Sequence, residues 1–159
     1  MNKYQCVAKD VKLGKNVKLA KFINLYGCSI GDNTKIGAFV EVQKDAAIGS
    51  NCKISSHAFV CSGITIGDNC FVGHGVTFIN DNYPRATNKK GRLESEKEWL
   101  VRFVRTEIGD NAVIGSNATI MGGISIGAGS FIGAGSVVTK SVPAKEAWVG
   151  NPARKLRKL

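Results

Sequence analysis

The sequence is short of acid, nearly devoid of histidine, and without a long apolar run. Twelve Asp and Glu face 22 Lys and Arg, so the chain carries a formal net charge of +10 that needs a partner or a reason. No stretch is apolar for long enough to span a bilayer, and Met1 to Gln5 lacks the apolar core of a secretory signal, so a cytoplasmic protein with no membrane insertion is expected. The five cysteines, at 6, 28, 52, 61 and 70, form no Cys-x-x-Cys pair, and disulfides are not expected. Asn117-Ala118-Thr119 matches a glycosylation sequon but is read as coincidence in a chain without a secretion signal. Two histidines, His57 and His74, cannot build a three-histidine zinc centre, and no metal is expected. No aromatic-interleaved basic stripe accompanies the charge, which argues against nucleic acid.

What the sequence does have is a beat of six. Ile30, Ile36, Val42, Ile48, Ile54, Val60, Ile66, Val72 and Phe78 keep that step, and it returns at Ile108, Ile114, Ile120, Ile126, Ile132 and Val138. Four positions after most of them stands a small or β-branched residue, such as Thr34, Ala46, Cys52, Cys70, Ala112 or Ser136. This period fits neither an α-helix at 3.6 nor a plain strand at 2. It is the signature of a hexapeptide β-helix, in which three hexads make a triangular coil and the large aliphatics stack in a column. No single coil buries that column, so stability comes from neighbour on neighbour. Gly-Asp-Asn at 31–33, 67–69 and 109–111 supplies corners that need tight or left-handed backbone. The beat slips once, between Leu25 and Ile30. One all-β domain over 1–159 is expected.

Two segments stand outside the beat. Residues 80–105 form a polar, basic, turn-rich loop; Leu93 to Arg105 reads as a short charged element returning to a strand through Trp99, Val101 and Phe103. Long loops in compact domains are functional or disordered, and Asn, Tyr, Pro and Arg within six residues favour an ordered loop that contacts a ligand. The second segment is a basic tail over 140–159, where Lys140, Lys145, Arg154, Lys155, Arg157 and Lys158 face only Glu146. It is either a solvating end or a surface for a small phosphate-bearing polyanion.

The column, the stretch Ile132 to Lys140 and the ending Val149-Gly150-Asn151-Pro152-Ala153-Arg154 resemble the hexapeptide acyltransferases. More narrowly, Ser56 to Cys61 with Val72 to Arg85 is similar to N-acetyltransferases acting on nucleotide-linked 3-amino sugars in bacterial surface-polysaccharide synthesis. The resemblance implies a left-handed parallel β-helix, a homotrimer with sites between columns, acetyl-CoA as cosubstrate, and a dTDP- or UDP-linked amino sugar as acceptor. By motif position, Ser116 and Ala134 would meet the pantetheine arm, with corner packing as the alternative. Thr139, Lys140, Arg154 and Arg157 would meet the adenine nucleotide and its phosphates.

The chemistry needs a neutral amine to attack a thioester carbonyl, a donor for the oxyanion and a destination for a proton. Imidazole is the usual base near neutral pH, so the corner residues His57 and His74 are candidates. Asn80 is a candidate orienting group should the amine need no base, since positioning alone supplies several kcal/mol. Asp81, Tyr83 and Arg85 are candidates for the acceptor sugar or its diphosphate, with contacts that merely stabilise the loop as the alternative. A sugar O-acetyltransferase shares the column, but Tyr83 stands about where its loop histidine would be. A hexapeptide carbonic anhydrase lacks its third histidine here, and a bare scaffold leaves the loop and the Gly-Asn-Pro-Ala-Arg ending unexplained.

Overall fold

A computed structural model describes residues 3–159. Its backbone is a parallel solenoid with three flat faces. The first face is a seven-stranded sheet that runs from Gln5–Val7 through Glu41–Val42, Phe59–Val60, Thr77–Phe78 and Thr119–Ile120 to Val137–Val138. The second face, of six strands, starts at Lys12–Leu13 and ends at Ser125–Ile126. The third starts at Lys18–Leu19, includes Lys35–Ile36, Lys53–Ile54, Phe71–Val72, Val113–Ile114 and Phe131–Ile132, and closes with Glu146–Gly150 and Ala153–Lys158.

The beat of six explains this directly. Each hexad contributes one inward aliphatic, and Ile54, Val60, Ile66, Val72, Phe78, Ile114, Ile120 and Ile132 are all essentially sealed from solvent. The residues four places on, among them Thr34, Cys52, Cys70, Ala118 and Ser136, fill the gaps between them. Each sealed aliphatic contributes on the order of 2 kcal/mol of burial, and it does so only against the coils above and below. Equivalent residues pair across coils, as Ile36 with Ile54 and Ile114 with Ile132. The slip in the beat becomes a shortened coil: Leu13 pairs with Ile30 and Leu25 with Val42, each one residue closer than Ile30 with Ile48.

The corners follow from the same sequence. Between the second and third faces, Asn16, Asn33, Asn51, Asn69 and Asn111 all take φ between 56° and 60°, a conformation Asn tolerates better than most residues. Their amides form a ladder, Asn16 donating to Asn33 at 3.3 Å and Asn33 to Asn51 at 3.2 Å. The aspartates beside them bind the coil before: Asp68 accepts from the Ser50 amide at 2.7 Å and Asp110 from the Asp68 amide at 2.8 Å. Between the third and first faces, coils approach so closely that a Cβ on Gly73 would lie 2.5 Å from the Ser116 nitrogen.

The basic tail is ordered: Glu146–Gly150 pairs with Phe131–Ile132, and Ala153–Lys158 folds back antiparallel upon it. Glu146 is drawn under this hairpin, accepting from Lys155 Nζ and, at 2.9 Å, from Trp148 Nε1. Those partners, Lys155 first, hold its carboxyl below the usual range. One expectation is corrected: the return through Trp99, Val101 and Phe103 is not a strand. Glu96–Leu100 is a short helix, whose start is fixed by Glu98 accepting from the Ser95 amide at 2.8 Å; the strand begins only at Thr106.

Candidate active site

The corner between the third and first faces carries two parallel rows. One is Ser56, His74, Ser116 and Ala134. The backbone stitches this row together: the Gly75 amide donates to Ser56 O at 3.1 Å, Asn117 to His74 O at 2.7 Å and Gly135 to Ser116 O at 2.8 Å. The Ser116 hydroxyl accepts from the His74 amide at 3.2 Å. Beside it runs Phe22, Phe39, His57, Gly75, Asn117 and Gly135, every one with φ between 58° and 68°. Aromatic residues in that conformation are uncommon and strained. Here they form a stack: the His57 ring lies 4.8 Å from Phe39 at 12°, Phe39 lies 5.1 Å from Phe22 at 10°, and Tyr4 continues the line. His57 and His74 are both exposed, on consecutive coils of one corner.

Across the first face, segment 80–105 folds over its own base. A cleft of about 350 Å³ opens between it and the column, lined by Phe59, Asn80, Asp81, Arg85, Trp99 and Phe103 among others. Asn80 anchors the entry, its Nδ2 donating to Ser62 O at 3.0 Å while its backbone carbonyl accepts from Val104 N at 2.9 Å. Asn82, a residue the sequence did not single out, pins the segment to the column with both amide atoms: Nδ2 donates to Gly122 O and Oδ1 accepts from Gly122 N, each at 2.9 Å. The centre of the segment is Glu94, also missed. It accepts from Arg102 Nη2 and Arg85 Nε, both at 2.7 Å, and Arg102 Nε reaches Asp81 at 2.8 Å. Arg102, then Arg85, holds the Glu94 carboxyl below the ordinary range. No short-range motif marks Asn82, Glu94 or Arg102, because their partners lie far along the chain or in the folded-back loop.

The candidates therefore fall into separate places. Asn80, Asp81 and Arg85 share the cleft, although both oxygens of Asp81 are occupied by the Tyr83 amide and Arg102. Tyr83 projects to solvent and does not line the cleft. His57 lies on the opposite edge of the face: it is five residues from Ser62, where Asn80 is anchored, or roughly 16 Å at about 3.3 Å per strand residue. Ser116 and Ala134 sit on the histidine corner, with the hairpin closing above them as the Gly150 amide donates to the Ser136 hydroxyl at 3.1 Å. Arg154 and Arg157 are exposed on the outer hairpin strand, whereas Thr139 and Lys140 emerge exposed at the other edge of the first face. One copy of the chain does not close a site around all of these residues.

Comparison with known sequences gives this arrangement a family. The profile described as bacterial transferase hexapeptide (six repeats) matches residues 27–62, 45–80 and 105–140. The chain belongs to the bacterial transferase hexapeptide family. Membership carries the enzyme class expected from the sequence, acyltransferase. No curated protein matches the chain. Among solved structures, this hexapeptide transferase is similar to a hexapeptide-repeat acetyltransferase from Vibrio cholerae complexed with acetyl coenzyme A, at 28% identity and a TM-score of 0.71 over 84% of this chain and 72% of that one. It shares its fold with AntD, an N-acyltransferase from Bacillus cereus, solved with dTDP-4-amino-4,6-dideoxyglucose and coenzyme A: 22% identity, TM-score 0.74, coverage 92% and 82%. It shares it also with the acetyltransferase domain of PglB from Neisseria gonorrhoeae, at 17% identity, TM-score 0.58 and coverage 94% and 56%. Among the described residues, no helix is long and apolar enough to cross a membrane.

Proposed function

We propose that this hexapeptide transferase moves the acetyl group of acetyl-CoA to the amine of a dTDP- or UDP-linked 3-amino-deoxy sugar destined for a bacterial surface glycan, in sites between the columns of a left-handed homotrimer. The observation that carries the reading is the division of the site. The histidine corner with its row Ser56, His74, Ser116 and Ala134 lies on one edge of the first face, and the cleft of Asn80, Asp81 and Arg85 on the other. Packing the corner of one copy against the cleft of the next brings the two halves together. The Vibrio relative supports the coenzyme, being complexed with acetyl coenzyme A, and AntD supports a nucleotide-linked amino sugar as acceptor.

In this site the pantetheine arm runs along Ser116 and Ala134, with Thr139, Lys140, Arg154 and Arg157 of the charged end on the adenine nucleotide and its phosphates. The sugar amine, deprotonated, attacks the thioester carbonyl; the tetrahedral intermediate collapses with release of the coenzyme thiolate, and the ammonium proton passes to that thiolate directly or through imidazole. His57 is the candidate base, exposed and held in one orientation by the Phe39 stack, with His74 one coil on. Asn80 orients the nucleophile and Arg85 the diphosphate.

Thiol release from acetyl-CoA, measured against a panel of nucleotide-linked 3-amino and 4-amino sugars, tests the proposal. Turnover with the 3-amino members is expected; turnover with a simple galactoside and none with the panel would overturn it. His57→Ala should lower kcat by about a hundredfold or more, and a small loss across the pH range would leave attack to the substrate's own amine, oriented by Asn80.

A further inference from the structure

The row that carries His57 changes character above it. Below stand the rings of Tyr4, Phe22 and Phe39, and the imidazole is the last ring of the stack. The next three coils put Gly75, Asn117 and Gly135 in the same left-handed corner. Asn117 is thus a carboxamide between two glycines, and it leans into the space that Gly75 leaves: a Cβ on Gly75 would lie 2.4 Å from Asn117 Oδ1 and 3.5 Å from its Cγ. The group therefore hangs at the level of the coil below its own, one strand spacing of about 4.8 Å above the His57 ring. On its other side the corner is open, since a Cβ on Gly135 would meet nothing within 4 Å.

The hydrogen bonding of this corner leaves that carboxamide unused. At the neighbouring corner the asparagines are tied to one another, Asn16 donating to Asn33 and Asn33 to Asn51. Asn117 has glycines where such partners would stand, and among the described residues its side chain makes no hydrogen bond. The backbone of the row offers no donor in its place: the amides of His57, Gly75, Asn117 and Gly135 are committed to the carbonyls of Ala38, Ser56, His74 and Ser116, at 3.0, 3.1, 2.7 and 2.8 Å. A free N–H pair held beside an exposed imidazole is what acyl transfer needs for the negative charge that develops on the carbonyl oxygen.

We propose that Asn117 is the oxyanion donor of this transferase, its Nδ2 hydrogen bonding to the thioester carbonyl oxygen. The assignment rests on the reading above, in which the coenzyme arm descends from the hairpin past Ala134 and Ser116, so that the thioester arrives at the coil of Gly75, between the carboxamide and His57. Attack of the amine nitrogen on the carbonyl carbon moves the C=O π pair onto the oxygen, where the Nδ2–H holds it. As the C=O bond re-forms the C–S bond breaks, its electron pair leaves on the thiolate, and the ammonium proton passes to His57 or to that thiolate. The donor is aimed at the thioester, so it serves every acceptor that the other half of the site admits.

Thiol release from acetyl-CoA is compared for the full-length wild type, Asn117→Asp, Asn117→Gly and an Asn111→Asp control on the neighbouring corner, with circular dichroism confirming that each is folded. Aspartate keeps the shape of Asn117 and glycine its left-handed backbone, and neither brings a donor. The expected result is a kcat lower by about a hundredfold or more in both Asn117 variants, by the same factor for every acceptor turned over, with both KM values within about twofold of the wild type. The pH profile of kcat should keep its shape, because His57 is untouched, and the control should match the wild type. A kcat near that of the wild type, a loss confined to KM, an equal loss in the control, a displaced pH profile, or activity kept by Asn117→Asp and lost by Asn117→Gly would each overturn the assignment. A wild type that acetylates the sugar panel alongside fully active Asn117 variants sinks the donor and spares the function. A wild type that acetylates only a simple galactoside, slowed as much by the same substitutions, sinks the amino-sugar reading and keeps the donor; no thiol release with any acceptor sinks both.

Discussion

The thiols show how completely a residue's chemistry here is set by its place in the hexad. Cys28, Cys52, Cys61 and Cys70 are buried and Cys6 is exposed. Cys52 and Cys70 occupy the small inward position, as their spacing indicated; the Cys52 sulfur and burial together push the Cys70 thiol well up. Cys61 donates to Phe78 O at 3.2 Å, and burial pushes it up to about 12. Folding therefore favours its neutral form. That contribution is fully present below the ordinary thiol value of about 8.5 and is lost as pH rises toward 12. Ellman's reagent at neutral pH should modify Cys6 quickly and the other four only on unfolding, and the urea midpoint should fall above about pH 9; rapid modification of Cys61 in the native protein would contradict its burial. The outward residues were less legible. His57 and His74 were placed on corners by their flanking residues, but the stack of Phe22, Phe39 and His57 was not. It is offset by the slip after Leu25, and Phe is a residue that sequence reasoning does not assign to positive φ.

At the scale of elements, segment 80–105 contrasts with the column that carries it. The column's strands follow from the beat, down to which residue of each pair points inward. The segment has no beat, and its order comes from contacts that the sequence does not space regularly: the Asn80 and Asn82 anchors and the ion-pair cluster on Glu94. Its helix had a readable start in Ser95-Glu96-Lys97-Glu98, a capping box, yet Trp99, Val101 and Phe103 alternate like a strand and pointed the other way. Arg102 bridges Asp81, Glu94 and the Glu98 carbonyl, so Arg102→Ala should release the segment without unfolding the column. The acceptor KM should rise by about tenfold or more, with coenzyme affinity and the main thermal transition little changed. Acid should do the same. Glu94 is held below the usual carboxylate range, so its pairing stabilises the segment above the unfolded value of about 4.3 and is lost as pH falls through the lowered value. Pepsin should then cut near Leu100 before the column melts; simultaneous loss of both would show that the segment and column are one cooperative unit.

The whole molecule is a stack in which each coil depends on its neighbours and the site, on the reading above, depends on a second copy. Ile120 is sealed between Phe78 and Val138, and Ile120→Ala should cost about 2–5 kcal/mol in chemical denaturation. Sedimentation should give a trimer. Mixing His57→Ala with Asn80→Ala subunits should restore up to about a quarter of wild-type activity, the random share of sites that draw an intact half from each neighbour; no recovery would place both residues in a site within one chain. The fold was legible because a period is redundant: every hexad repeats the same instruction. The site was legible only as two fragments, because the sequence of one chain carries no mark of what faces it. A last consequence follows from the pairing of Ile66 with Ile108. Hydrogen-bonded neighbours here stand 42 positions apart where the coils on either side are separated by 18, yet the ladder resumes with no change of phase. The segment between them is thus a graft on a finished trunk: on the reading above, a change in its length alters the acceptor side of the site while the register of the coils on either side is kept.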